Sequence, residues 1–243
     1  MNELKINQLI KILKESDNIV ALTGAGISVP SGIPDFRSSN GIFNKEKLPV
    51  EEILSHHFFI NHTDKFYEFY KNKMIYPNSL PNIAHKTLAK LEQQNKLNAI
   101  ITQNIDGLDY EAGSKNVFEL HGSIKRNYCI RCNQFYDLSY IINSNNIPKC
   151  EKCSGVIKPD VVLYEELLDY DTLELSIDKI KFARTLLVIG TSLRVNPAAS
   201  LIDFFRGENL IIINLTPTPY DKFATLIINE KIEEVFTKIM QEI

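Results

Sequence analysis

Short apolar runs separated by helical patterns constrain this chain most. Residues 19–22, 98–101, 117–120, 186–189 and 210–213 are apolar runs of strand length, and 225–228 is a weaker sixth. Patterns of helical period cover 83–93, which leads into the second run, 173–182, which leads into the fourth, and 198–205, between the fourth and fifth. Runs that are apolar throughout suit strands covered on both faces, and their alternation with helices predicts a doubly wound, mostly parallel α/β sheet of Rossmann type. Residues 232–243 read as a helix closing one face. Two regions break the rhythm: 38–80, loop-rich and aromatic, and 125–158, which holds every cysteine. Both read as insertions packed on the main domain, because no internal repeat or low-complexity linker sets them apart.

The first run leads into Gly24-Ala25-Gly26 and then into Pro34-Asp35-Phe36-Arg37. Glycines after a buried strand let backbone N–H groups approach a pyrophosphate, so a dinucleotide is the first candidate ligand. Two parts of the usual fingerprint are absent. Val29 stands at the third glycine, and Glu46, close in count to the expected acidic residue, lies in a polar stretch. Taken alone, the motif fits a tight strand-to-helix turn equally well.

At 243 residues and 44% hydrophobic content the chain can bury a full α/β core with a small satellite. The formal charge of −3 and the scatter of its lysines give no basic face, so direct nucleic-acid binding is not expected. Leu4, Ile6, Leu9, Ile10 and Leu13 alternate with polar residues as in an amphipathic helix and not a secretory signal. The apolar runs are far shorter than a bilayer span, so no membrane association is expected and the cytoplasm is the expected compartment.

Cys129-x-x-Cys132 and Cys150-x-x-Cys153, 17 residues apart, have the spacing of a four-thiolate zinc site. With all four positions filled by sulfur, one structural ion is expected and no open coordination position. Two disulfides are the alternative, and they fit poorly with a chain that carries no export signal.

Polar residues follow the apolar runs: Thr102-Gln103-Asn104-Ile105-Asp106, Gly190-Thr191-Ser192, and Asn214. Each alone would pass as a turn or cap. Together, at strand ends, they outline a cofactor crevice. His121, after the third run, would face that crevice with a group able to take a proton near neutral pH. His56, His57 and His62 fall in the first insertion and His85 near a helix start.

In this order the motifs Gly24 to Ser28, Gly32 to Arg37, Thr102 to Asp106, Leu120-His121-Gly122, the cysteine quartet, Gly190 to Ser192 and Asn214 resemble the sirtuins, NAD-dependent protein-lysine deacylases, over essentially the whole length. The resemblance implies a large Rossmann-type domain (1–37, 81–124, 159–243), a cofactor loop with a helical module (38–80) and a zinc module (125–158). It implies NAD as co-substrate and acyl-lysine proteins as partners. Gly24, Ala25, Gly26, Ser28, Pro34, Asp35, Phe36 and Arg37 would cradle NAD. Gln103, Asn104, Ile105 and Asp106 would shape the ribose and nicotinamide pockets, with Asn104 and Asp106 assigned to catalysis beside His121 and Asp106 bonding the carboxamide. Gly190, Thr191, Ser192, Asn214 and Leu215 would hold the adenosine half. In the implied reaction the acyl oxygen attacks C1′ of the nicotinamide ribose, and His121 then acts as general base on a ribose hydroxyl.

The implied peptide strand is Val162-Leu163-Tyr164-Glu165, with Glu165 where the family usually has glycine. The change is expected to be tolerated if the backbone angles there are ordinary, and to favour basic flanking residues in the substrate. Tyr67 matches one half of the Tyr-x-x-Arg pair that binds acidic acyl groups in some relatives, but Tyr70 replaces the arginine, so a neutral acyl group such as acetyl is expected. An ADP-ribosyltransferase of the same fold and a non-catalytic NAD-sensing module are the competing readings. Glycines 24, 26, 32 and 41 suggest a loop that moves when NAD binds.

Overall fold

The computed structural model describes residues 2–36, 41 and 49–243. Among them run β1 (Ile19–Thr23), β2 (Leu97–Thr102), β3 (Val117–Glu119), β4 (Gly122–Cys129), β5 (Phe135–Tyr136), β6 (Ile157–Val161), β7 (Thr185–Ile189), β8 (Asn209–Ile213) and β9 (Leu226–Ile228). The helices are α1 (Glu3–Glu15), α2 (Val50–Ile53), α3 (His56–Asn61), α4 (Thr63–Lys73), α5 (Ile83–Gln93), α6 (Leu108–Glu111), α7 (Leu138–Asn143), α8 (Tyr170–Phe182) and α9 (Ile232–Glu242). All six expected strands lie in one parallel sheet of order β3-β2-β1-β7-β8-β9.

The period of two explains why these runs have no polar face. Ile19, Ala21, Leu187, Ile189, Ile211 and Ile213 join one core with Leu9 and Leu13 of α1, Leu88 and Leu91 of α5, and Val235 and Phe236 of α9. Val20, Leu22, Leu186, Val188, Leu210 and Ile212 join the opposite core with Ile180 of α8 and Leu201 and Ile202. The segment read as a helix over 198–205 is a 3₁₀ helix, Ala199–Phe204.

The order reverses between β1 and β7. From that point the chain winds outward through β2 and β3 on one side and β8 and β9 on the other. A crevice outside the carboxyl ends of the strands at such a reversal is where open α/β sheets bind ligands.

The two insertions share a third core. The described part of 38–80 is chiefly helical, not loop-rich: α2, α3 and α4 bury Phe58, Phe59, Phe66, Tyr67, Phe69 and Tyr70 against Ile141, Ile157, Val161 and Leu163. Phe66, Phe69, Tyr70 and Met74 stand at helical spacing in the sequence, and in α4 and just after it they pack into this core. The antiparallel sheet β5-β4-β6 takes in Gly122, Ser123 and 159–161 as well as the cysteine-bearing segment. Arg126 ties the two sheets, donating to Glu119 of β3 at 2.6 Å and to Asp160 of β6 at 2.7 Å.

Candidate active site

The loop after β1 and the loop after β7 touch at the reversal point, and glycines make that contact possible. A Cβ on Gly24 would lie 2.7 Å from Thr191 Cβ, and one on Gly26 2.7 Å from Gly190 Cα. Gly190 itself has φ +62°, in the left-handed region. The Gly24 N–H donates to the Ile189 carbonyl at 3.0 Å and the Gly26 N–H to the Gly190 carbonyl at 2.8 Å. These two N–H groups are therefore spent inside the fold and are not free to cradle a phosphate. Ala25 opens the 3₁₀ helix Ala25–Ser31, and its N–H, unlike those of the flanking glycines, has no acceptor among the described residues.

A polar network spans the strand ends. Asn104, buried, donates through Nδ2 to the Gly24 carbonyl and to Ser28 Oγ, each at 3.2 Å. Ser28 Oγ donates to Asp106 Oδ2 at 2.7 Å, and the Leu108 N–H to Asp106 Oδ1 at 2.9 Å. Burial raises the Asp106 carboxyl above the usual carboxylate range, against the pull of these two bonds. Gln103 Nε2 donates to Thr191 Oγ1 at 3.1 Å, joining β2 to β7 across β1. Asn82, the N-cap of α5, holds the loop from outside by donating to the Ile27 carbonyl and to Ser31 Oγ, both at 2.8 Å. Thr102, singled out with the strand-end residues, accepts through Oγ1 from the Asn104 N–H at 3.1 Å, whereas Asn82 was not among the expected site residues. In sequence Asn82 looks like an ordinary helix cap.

His121 follows β3. Its Nδ1 lies 2.8 Å from the Gln103 carbonyl, which can only accept, so Nδ1 carries the proton and Nε2 is the bare, basic nitrogen. Burial lowers its pKa below the ordinary histidine value, and the bond to Gln103 only partly restores it. Gly122 next to it has φ +73°, and a Cβ there would meet the Asp160 carbonyl at 1.9 Å, so the turn that aims His121 requires glycine.

Phe36 and Ile105 both pack against the third core, at the boundary between the sheet domain and the insertions. Pro34 and Asp35 precede Phe36 in the same half-buried stretch. Arg37 lies outside the described residues, as does Glu46. Asn214 donates to the Thr216 carbonyl at 2.7 Å beyond β8, with Leu215 exposed beside it and Ser192 half-buried after Thr191. The Val162 N–H donates to the His121 carbonyl at 3.0 Å, which puts the 162–165 segment next to the histidine. Tyr67 is fully buried, and its hydroxyl donates to the Ile157 carbonyl. Tyr70 is buried beside it, with no hydrogen-bond partner for its hydroxyl among the described residues, and burial raises its pKa.

Glu165 departs from expectation. Its φ is +77°, in the left-handed region that glycine adopts without cost, so the premise of ordinary backbone angles fails.

Among the described residues, one group of side chains can hold a metal: Cys129, Cys132, Cys150 and Cys153, whose sulfurs all lie within 4.8 Å of one another. Cys129–Cys153 and Cys132–Cys153 are 3.4 Å apart and Cys132–Cys150 3.6 Å, far beyond a disulfide bond. A tetrahedron of Zn–S bonds of about 2.3 Å has edges of about 3.8 Å, so the quartet fits a closed structural zinc site. No helix among the described residues is long and apolar enough to cross a membrane.

Fold and site define an α/β dinucleotide-binding protein with a zinc ribbon, in which a half-buried histidine is held at the strand ends by the Gln103 carbonyl. A sequence profile of the Sir2 family matches residues 24–197. An NAD-dependent protein deacetylase of Clostridium perfringens is 56% identical over 241 residues, covering 97% of this chain and 98% of its own, and one of Staphylococcus epidermidis is 44% identical over 243 residues, covering 99% and 98%. Among solved structures, a Sir2 with p53 peptide and NAD+ matches with TM-score 0.87 and 40% identity over 98% of both chains. A Sir2 variant with a deacetylated p53 peptide and 3′-O-acetyl-ADP-ribose matches with TM-score 0.90 and 41% identity, again over 98% of both. The chain belongs to the Sir2 family.

Proposed function

We propose that this chain is an NAD-dependent protein-lysine deacetylase, cleaving NAD to nicotinamide and transferring the acetyl group to give O-acetyl-ADP-ribose and free lysine. The observation that carries the reading is His121: a half-buried imidazole with Nε2 bare, fixed through Nδ1 by the same residue, Gln103, that joins β2 to β7. The NAD co-substrate supplies an electrophilic C1′ and a nicotinamide leaving group.

The chain's own residues would then act as follows. Ala25, Ser28 and the 34–36 stretch bind the phosphates and close over the ribose, while Asn104 and Asp106, positioned through Ser28, orient the nicotinamide half. His121 takes a proton from a ribose hydroxyl. Gly190, Thr191, Ser192, Asn214 and Leu215 border the adenosine half. An acyl-lysine peptide adds a strand along 162–165. Tyr70 in place of a cation favours a neutral acyl group. In this reading 1–37, 81–124 and 159–243 form the cofactor domain, 38–80 and 125–158 its two modules. We infer a cytoplasmic enzyme that binds no nucleic acid directly; four reduced thiols in zinc geometry suit a reducing compartment.

His121→Ala tests the assignment. The variant should fold and keep zinc but lose deacetylation by about 10²–10⁴-fold. Near-normal turnover would remove His121 from the mechanism, and label appearing on protein with no acetyl transfer would favour the ADP-ribosyltransferase alternative.

A further inference from the structure

A glutamate at φ +77° is costly, and the costs of such backbone states persist where surrounding contacts over-determine them. The contacts at Glu165 are specific. Its carboxylate accepts from the His57 N–H at 3.0 Å, in the first turn of α3, and from the His57 ring at Nδ1 at 2.7 Å. The backbone alongside is also tied: the Tyr164 N–H donates to the Leu54 carbonyl at 2.9 Å and the His56 N–H to the Tyr164 carbonyl at 3.0 Å. Glu166 makes a second tie, its carboxylate bonding His56 Nδ1 at 2.8 Å, Lys158 Nζ at 3.0 Å and the Leu163 N–H at 2.9 Å.

This accounting decides which backbone groups the segment can offer. The Val162 N–H goes to His121, both Tyr164 groups go to 54–56, and both Leu163 groups go to Glu166. The Val162 carbonyl and the Glu165 N–H remain without partners among the described residues. The direction of the Glu165 N–H is set by the left-handed turn that the His57 contact holds in place.

We propose that Glu165 is a positioning residue for the acyl-lysine peptide: by gripping His57 it locks the 162–165 segment against α3 and aims the free backbone groups that receive the substrate strand. The inference rests on the deacetylase reading above. It replaces the expectation that Glu165 selects basic flanking residues, because the carboxylate is directed at His57 and not left to the peptide. In keeping with this, the His57 N–H and then its ring hold the Glu165 carboxyl below the ordinary carboxylate range.

The test measures deacetylation of a neutral-flanked acetyl-lysine peptide by the full chain and by Glu165→Ala, Glu165→Gly, Glu165→Gln and His57→Ala. Removing the grip should raise the peptide KM about 3–10-fold in the Ala and Gly variants and in His57→Ala, with kcat and the KM for NAD within about twofold, the signature of lost uniform binding. Glu165→Gln keeps an oxygen for the His57 N–H and should recover most of the loss. Thermal melting confirms that each variant is folded, and Glu165→Gly, free of the left-handed strain, is the variant that can be relied on to fold. An unchanged peptide KM in Glu165→Gly overturns the proposal. So does a Glu165→Gln variant that alters only the ratio of rates on arginine-flanked and glutamate-flanked peptides, since Glu165 would then act as a charge selector. A wild-type chain with no deacetylation at all would overturn the deacetylase reading itself and with it this inference.

Discussion

At the level of single residues, two titratable groups give opposite pH signatures. Burial depresses the His121 pKa, so the base stays neutral to lower pH than an ordinary histidine of about 6.5. Activity should fall on the acid side with an apparent pKa below that value, measured as kcat/KM against pH; a limb above 7 would place another group in control. Asp109 was not singled out from sequence. It is only 2% exposed, one carboxylate oxygen has no partner among the described residues, and burial, with Asp106 and Glu119 adding, pushes it up to about 7. Between about 4 and 7 the folded chain holds a proton that the unfolded chain releases, so stability declines as pH rises through that window, by a few kcal/mol at most. Asp109→Asn should therefore melt several degrees higher than wild type at pH 8 and about equally at pH 4, and equal melting at both would contradict the burial account. His121 was legible because its neighbours form motifs. Asp109 was not, since on a polar turn nothing in the sequence distinguishes a buried carboxyl from a solvated one.

Among elements, the strands were the most legible part. Their two-sided burial leaves runs with no polar alternation, and each of the six expected lies in the parallel sheet. Strand order was not legible, because pairing of β1 with β7 depends on contacts more than 160 residues apart in the chain. The glycines of the first loop consequently had an ambiguous reading. They look like phosphate-binding residues in sequence, but the structure uses Gly24 and Gly26 for close approach to the end of β7. Gly26→Ala would press a methyl group into the Gly190 backbone, and overpacking of this kind costs about 1–3 kcal/mol. A lower melting temperature together with a raised KM for NAD is expected. A variant with wild-type melting and NAD affinity would show that the β1–β7 junction yields freely.

For the molecule as a whole, the zinc quartet and the aromatic helices share one core, with Cys129 and Cys150 packed in the same cluster as Phe59, Tyr67 and Leu163. The ribbon was plain from cysteine spacing; its partnership with the helical module was not, since the two are separated in sequence by α5, β2, α6 and β3. Cys150→Ser should lose the bound zinc by metal analysis, and deacetylation should fall with it because β6 leads directly into the 162–165 segment. Full turnover by a zinc-free protein would uncouple the two. The central claim concerns bond cleavage and transfer, and product stoichiometry tests it most directly. Wild-type protein incubated with NAD and an acetyl-lysine peptide, followed by mass spectrometry, should yield nicotinamide, O-acetyl-ADP-ribose and deacetylated peptide in equal amounts. Nicotinamide formed without O-acetyl-ADP-ribose, or no nicotinamide at all, would contradict it.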